Sequence, residues 1–357
     1  EQVARRYDPL TSASEGDRTA LRRLPDASRE SDLAQRSELI ALRTRLERVP
    51  TRGLNQDDAL NRAYLMRVID QSIEAIDLDF GRAPISNGDG FFTFGDYLAY
   101  TTPIQSTDDA EAWLARLEAL PTFYQQNLAN ARRGIETGYT QPRIVVDRAL
   151  ATARAQVDTL EPTLLTPLAS MPDTIPAARQ EEFRNRARTV IRDRILPAHR
   201  DTVTFIEREY LPAARPGLGL RSVPDGENLY RFLVRSYTTT EMTPEQIHEL
   251  GNQEVARIRA LMETEIRASG FRGNFAAFQR FLRTDRQFYA RTPEELIHHA
   301  SEIAKRADGQ LPRLFGTLPR LSYGIRVIPA EQAEGSTTAY YTQGSAALGQ
   351  SGTYWVN

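Results

Sequence analysis

Apolar residues that return every three or four positions constrain this chain more than any other feature. Leu60, Tyr64, Val68, Ile69, Ile73 and Ile76 form one such stripe, and Ile247, Leu250, Val255, Ile258, Leu261, Met262 and Ile266 form another. A period near 3.6 with charges on the remaining faces suits an amphipathic helix and cannot suit a strand, whose side chains alternate. The second stripe has its own punctuation. Thr243-Pro244-Glu245 offers a capping hydroxyl and a proline at the first helical position, and Gly270 supplies the stop. Thr292-Pro293-Glu294-Glu295 opens a further helix through Lys305, with Glu295 placed where a capping box needs it.

Turn chemistry falls at Pro84 to Gly90, Gly138 to Pro142, Met171 to Pro176 and Pro212 to Pro224, which read as connections between helices. From about Pro319 the pattern changes. Tyr323 to Pro329, Thr337 to Gln343 and Thr353 to Val356 are short β-branched and aromatic runs separated by Gly and Ser. The expected fold class is therefore mainly α, a large bundle of long amphipathic helices with a small β-sheet near the C-terminus. Two regions follow, a helical domain over 1–318 and the start of a sheet over 319–357. A sheet begun so late has little room to be finished and covered, so the chain reads as cut at Asn357.

A 40% apolar content over 357 residues is enough for a substantial core. Acidic and basic residues nearly cancel, 47 against 45, and no segment gathers one sign, which argues against a nucleic-acid partner. Arg carries almost all the positive charge, Lys305 being the sole lysine. The absence of cysteine excludes disulfides, thiolate metal sites and cysteine nucleophiles from this stretch. No apolar run is long enough to span a bilayer.

Four histidines are present: His199, His248, His298 and His299. His248-Glu249 begins like the zinc motif His-Glu-x-x-His, but Asn252 stands where the second imidazole belongs. Glu-x-x-His occurs twice, as Glu245 with His248 and Glu295 with His298, the pattern by which carboxylate-bridged di-iron bundles hold metal. Both pairs also sit in first turns, where the helix dipole favours acidic residues without any metal. Gly349-Gln350-Ser351-Gly352-Thr353 misses the last glycine of a nucleophile elbow, and Asn87-Gly88-Asp89-Gly90 fits a plain turn. Tyr340, Tyr341, Tyr354 and Trp355 lie in the strand-forming region, where an exposed edge can pair with an extended peptide or the rings can simply pack the sheet.

One set of motifs is more specific. Val223-Pro224-Asp225-Gly226-Glu227, Thr243-Pro244-Glu245-Gln246-Ile247-His248-Glu249-Leu250-Gly251, Phe281-Leu282-Arg283-Thr284-Asp285, Thr338-Ala339-Tyr340-Tyr341 and Gly352-Thr353-Tyr354-Trp355-Val356-Asn357, with Thr137-Gly138-Tyr139-Thr140-Gln141-Pro142 upstream, resemble the bacterial domain-of-unknown-function 885 family in kind and order. The resemblance implies a helical, gluzincin-like metallopeptidase fold, similar in style to angiotensin-converting and thimet-type peptidases. It also implies zinc as cofactor, peptide as substrate, and frequent export to the periplasm or beyond. The family's zinc motif, of the type His-Glu-Ala-x-Pro-Gly-His-His, is expected shortly after the strand ending in Tyr-x-Val-Asn. This sequence stops at Asn357 without it, so no catalytic or metal residue carries over and the chain is expected to be inactive alone. Tyr340, Tyr341 and Tyr354 are the candidate substrate-binding residues. A non-catalytic helical binding module and the di-iron bundle are the alternative readings.

Overall fold

The expected helices form where the sequence places their caps. The computed structural model describes residues 2–328, 333, 336–346 and 349–357, which leaves Pro329 of the first strand run outside the described residues. In chain order the helices are α1 (Gln2–Tyr7), α2 (Pro9–Ser14), α3 (Arg29–Glu47), α4 (Gln56–Asp77), α5 (Phe94–Thr101), α6 (Thr107–Glu136), α7 (Arg143–Leu165) and α8 (Ala177–Val190). There follow α9 (Leu196–Phe205), α10 (Leu211–Ala213), α11 (Gly226–Thr238), α12 (Pro244–Ala268), α13 (Phe275–Thr284), α14 (Pro293–Asp308) and α15 (Leu311–Leu314). Strands β1 (Ile85–Ser86) and β2 (Asp89–Gly90) make a small hairpin around Asn87-Gly88, as the turn residues require, with Gly88 at φ +76°. Strands β3 (Tyr323–Val327), β4 (Ala339–Thr342) and β5 (Gly352–Val356) make the C-terminal sheet. The chain is thus mainly helical with a small late sheet.

Contacts divide the chain into two compact units, Glu1–Ala13 with Asp17–Glu241, and Ser14–Gly16 with Met242–Asn357. The compositional boundary at 318/319 lies inside the second unit, where β3 packs on α14 and the Tyr323 hydroxyl donates to the Ala304 carbonyl at 3.3 Å.

The first unit holds a conventional core. Along α6 the buried residues Trp113, Leu117, Leu120, Tyr124 and Ala131 face α7, α8 and α9. Even the polar tips of the aromatics are satisfied: Trp113 Nε1 donates to the Leu164 carbonyl at 3.2 Å, and the Tyr124 hydroxyl donates to the Phe92 carbonyl at 3.1 Å. Two π-helical turns, Ile191–Ile195 and Ile206–Tyr210, run directly into Leu196-Pro197 and Leu211-Pro212. His199 lies between them, fully buried, its Nε2 bonded to the Ala153 carbonyl at 2.8 Å. Burial lowers its pKa, so the ring is held neutral.

Two of the motifs on which the family resemblance rests meet in this unit, although some eighty residues of chain separate them. Tyr139 packs with Val223 and Leu229, and the Arg82 guanidinium stacks 4.4 Å above the Tyr139 ring. Arg215 ties the two segments together: its Nε donates to the Thr140 carbonyl at 2.8 Å and its Nη1 to the Gly217 and Gly219 carbonyls at 2.6 and 2.7 Å. The Tyr210 hydroxyl accepts from the Gln141 N–H at 3.2 Å, and burial pushes its pKa up to about 12.

Thr239, which closes α11, takes φ +57°, a left-handed conformation that a β-branched residue adopts only under strain. Thr239→Gly should therefore stabilise the first unit by about 1 kcal/mol, read as a shift in denaturant midpoint at constant slope. A loss of stability would show that the Thr239 side chain contributes more than its backbone costs.

The second unit is built differently. Thr243 caps α12 and Gly270 at φ +79° follows its end, both as expected, and Gln246 goes further by closing a capping box on Thr243. At α14 the hydroxyl of Thr292 accepts from the Glu295 N–H at 3.1 Å, but the Glu295 carboxylate turns to the Arg291 N–H at 2.6 Å instead of closing the box on Thr292. Phe271, Phe278, Phe281 and Phe288 cluster around α13, with ring centroids 5.1–6.1 Å apart. Yet the apolar stripe of α12 is largely bare, with Val255 70% and Leu261 51% exposed. Among the described residues of this unit only Ile266, Ile328 and Val356 are buried large apolar side chains. The stripe of α4 is partly bare as well: Ile69 is buried, while Leu60 and Tyr64 are each 67% exposed.

Candidate functional site

The sheet order is β3-β5-β4, so the last strand of the chain enters between the two earlier ones. β5 runs parallel to β3 and antiparallel to β4. Strand alternation then sorts the side chains. Ile325, Tyr354 and Tyr341 share a row on one face, and Arg326, Trp355 and Tyr340 share the adjacent row on the other. Of the three candidate tyrosines, Tyr341 and Tyr354 are therefore brought together and Tyr340 lies on the opposite face. Tyr340 stacks on Trp355 at 6.1 Å between centroids, and Trp355 Nε1 donates to the Thr342 hydroxyl at 2.9 Å. Tyr341 and Tyr354 are 56% and 38% exposed.

A glycine makes the Tyr341 position possible. The ring crosses diagonally over Gly352, where an added Cβ would lie 1.8 Å from the Tyr341 hydroxyl oxygen. Sequence reasoning weighed Gly352 as part of an incomplete nucleophile elbow, although a glycine opening an aromatic strand run is a signal of close approach. Tyr323 stands beside it in the register, and partial burial, followed by the nearby Asp308 charge, raises its pKa.

Backbone phase decides what the sheet edge offers. The Asn357 N–H donates to the Thr338 carbonyl at 3.0 Å, which makes 338 and 357 a hydrogen-bonded pair. Alternation along an antiparallel ladder then points the N–H and C=O of Tyr340 and Thr342 toward β5, and those of Ala339 and Tyr341 outward. Among the described residues nothing hydrogen-bonds to those outward groups. Asn357 also fixes the approach to β4, its side-chain amide donating to the Ala333 carbonyl at 2.7 Å and the Thr337 carbonyl at 3.3 Å. Among the described residues this leaves a row of unpaired backbone groups beside an exposed aromatic face, the arrangement by which an extended peptide adds to a sheet.

The histidine motifs do not converge on this edge. His248, His298 and His299 are exposed, and His299 reaches only Glu295, at 3.8 Å. Among the described residues no three His, Asp or Glu side chains gather as a metal site would require, so the two Glu-x-x-His pairs do not assemble the ligand set of a di-iron bundle. No described helix is long and apolar enough to cross a membrane.

The architecture has a solved counterpart. A crystal structure from Colwellia psychrerythraea, described as a "putative lipoprotein", superposes with a TM-score of 0.88 at 16% identity, over 100% of this chain and 65% of that chain. At this identity the likeness shows the fold alone, and this chain spans 65% of the length of that protein. No curated protein matches the chain at a significant level. The motifs at Thr137 to Pro142, Val223 to Glu227, Thr243 to Gly251 and Gly352 to Asn357 all lie within residues 9–357, which a family model matches, and the chain belongs to that family, the bacterial proteins of unknown function DUF885.

Proposed function

We propose that this chain is the helical and substrate-wall portion of a zinc-dependent peptidase, with the metal ligands supplied by polypeptide outside these 357 residues. One observation carries the reading: the outward backbone groups of Ala339 and Tyr341 on the free edge of β4, beside the exposed Tyr341 and Tyr354 rings. A substrate laid along this edge is held extended by main-chain hydrogen bonds, which bind peptides without regard to side chain. The rings add apolar contact on one face, and alternate substrate side chains meet them. Zinc bound with an open position would supply water that loses its proton near neutral pH and so becomes the nucleophile. The residues described here contribute to orientation only, so the chain alone should be inactive. The likeness to a protein described as a lipoprotein supports a periplasmic or secreted location.

Metal analysis and hydrolysis of an unstructured peptide, run on a longer form of the protein, test this. Stoichiometric zinc, with hydrolysis abolished by chelation and restored by zinc, is expected. A longer form that folds without metal, or that holds zinc and cleaves no peptide, overturns the proposal.

A further inference from the structure

A buried acid–amide contact inside the first unit takes no part in the chemistry proposed for the sheet. Asp96 of α5 and Gln156 of α7 are joined by one hydrogen bond, Gln156 Nε2 donating to Asp96 Oδ2 at 2.5 Å. Their other two oxygens, Asp96 Oδ1 and Gln156 Oε1, are shut away from solvent and have no partner. Both are acceptors if the acid is ionised, and neither can then satisfy the other. Leaving two buried acceptors bare costs the fold their hydration with no hydrogen bond in return.

The surroundings offer the carboxylate no compensation. From α6 the titratable group that faces Asp96 is Tyr124, itself buried, its hydroxyl committed to the Phe92 carbonyl and its pKa raised by burial and then by Asp96. From α7 comes only the Gln156 amide, and the packing beside Gly95 is Leu120 and Leu164. No Arg, Lys or His acts on the carboxyl, and burial is the main influence on it, raising its pKa.

We infer that Asp96 keeps its proton in the folded chain, and that acid and amide close a ring of two hydrogen bonds clamping α5 to α7. The acid O–H donates from Oδ1 to Gln156 Oε1, while Gln156 Nε2 donates to Oδ2. One proton thus satisfies both bare oxygens at once and removes the buried charge. The clamp is sensitive to base. Unfolded, the acid loses its proton near the ordinary Asp value, about 3.9. Folded, it holds the proton to higher pH, so stability is fully present at low pH and falls as pH rises from the ordinary value through the raised one. Above that window α5 is pushed toward release.

Two measurements on the 357-residue chain test the clamp. The side-chain carboxyl carbon of Asp96, observed by NMR and assigned through Asp96→Asn, should still report the protonated form at pH values where an unfolded Asp is already ionised. Thermal midpoints of the wild type should fall by about 3 °C per pH unit inside the window relative to Asp96→Asn. Asn presents the same donor and acceptor with no proton to lose, so this variant folds and its profile lacks that slope. Asp96→Ala should lose stability at every pH. An Asp96 carbon that titrates at or below the ordinary Asp value, or parallel pH profiles for wild type and Asp96→Asn, overturns the inference.

Discussion

Gly134→Ala should cost the first unit about 3 kcal/mol, the upper end of what one added methyl does in a packed interior. Gly134 lies near the end of α6, where two other segments of backbone press against the helix. A Cβ there would fall 2.3 Å from the Arg82 carbonyl oxygen and 2.9 Å from the Tyr139 carbonyl oxygen. Neither is the tip of a mobile side chain. Arg82 is held beneath the Tyr139 ring, and the Tyr139 N–H donates to the Gly134 carbonyl at 2.8 Å, so relief for one contact strains the next. Gly251→Ala is the natural control, because it is helical and has nothing within 4 Å of a new Cβ. There the gain in helix propensity should stabilise by about 0.5–1 kcal/mol. Denaturant titration of both variants decides the matter. A Gly134→Ala change within about 0.5 kcal/mol of wild type would mean the backbone contacts at Arg82 and Tyr139 yield easily.

Tyr341→Pro, made in a longer zinc-loaded form, should lower kcat/KM for an unstructured peptide by about ten- to a hundredfold while leaving the fold intact. Proline removes one backbone donor, and at Tyr341 that donor points off the free edge of β4, where proline is tolerated in a sheet. The loss corresponds to about 1–3 kcal/mol of hydrogen bonding to substrate. Tyr341→Ala separates the ring from the backbone, since it keeps the N–H and should have the smaller effect, mainly on KM. Tyr340→Pro is the opposite case. Its N–H faces β5, so the change breaks the ladder and should destabilise the sheet itself. Equal activity of Tyr341→Pro and Tyr341→Ala would remove β4 from substrate binding.

Helix starts were the most legible part of the sequence because a cap is local chemistry. Thr243 and Thr292 need only the N–H groups three residues on, and both find them. Family membership was legible for a related reason: its motifs are short, and those at Thr137, Val223 and Thr243 sit at turns and helix starts. Sheet order was not. Nothing local tells β5 to insert between β3 and β4, because the parallel pairing with β3 spans the intervening loop and β4. Burial was not legible either. The period that marks α12 as amphipathic says which face is apolar, and says nothing of whether a neighbour covers it. Tyr340 fell on the wrong side of the other tyrosines for the same kind of reason, since adjacent strand residues face apart and only the register reveals which pair shares a face. The Asp96–Gln156 contact left no trace in the sequence, sixty positions apart and of unremarkable residue types.

The π-turns beside Pro197 and Pro212 have a consequence for how α8, α9 and α10 keep contact with the core. Ile191, Ile195, His199, Thr202, Ile206 and Tyr210 are all fully buried, a spacing that averages longer than the ordinary helical wavelength. In a regular helix each residue turns about 100°, so such a row would drift sideways around the axis and leave the core. A wider turn absorbs one residue without the corresponding rotation, and two of them reset the phase twice. The row stays in line, and residues beyond each reset present the faces they would have shown had the extra one never been there.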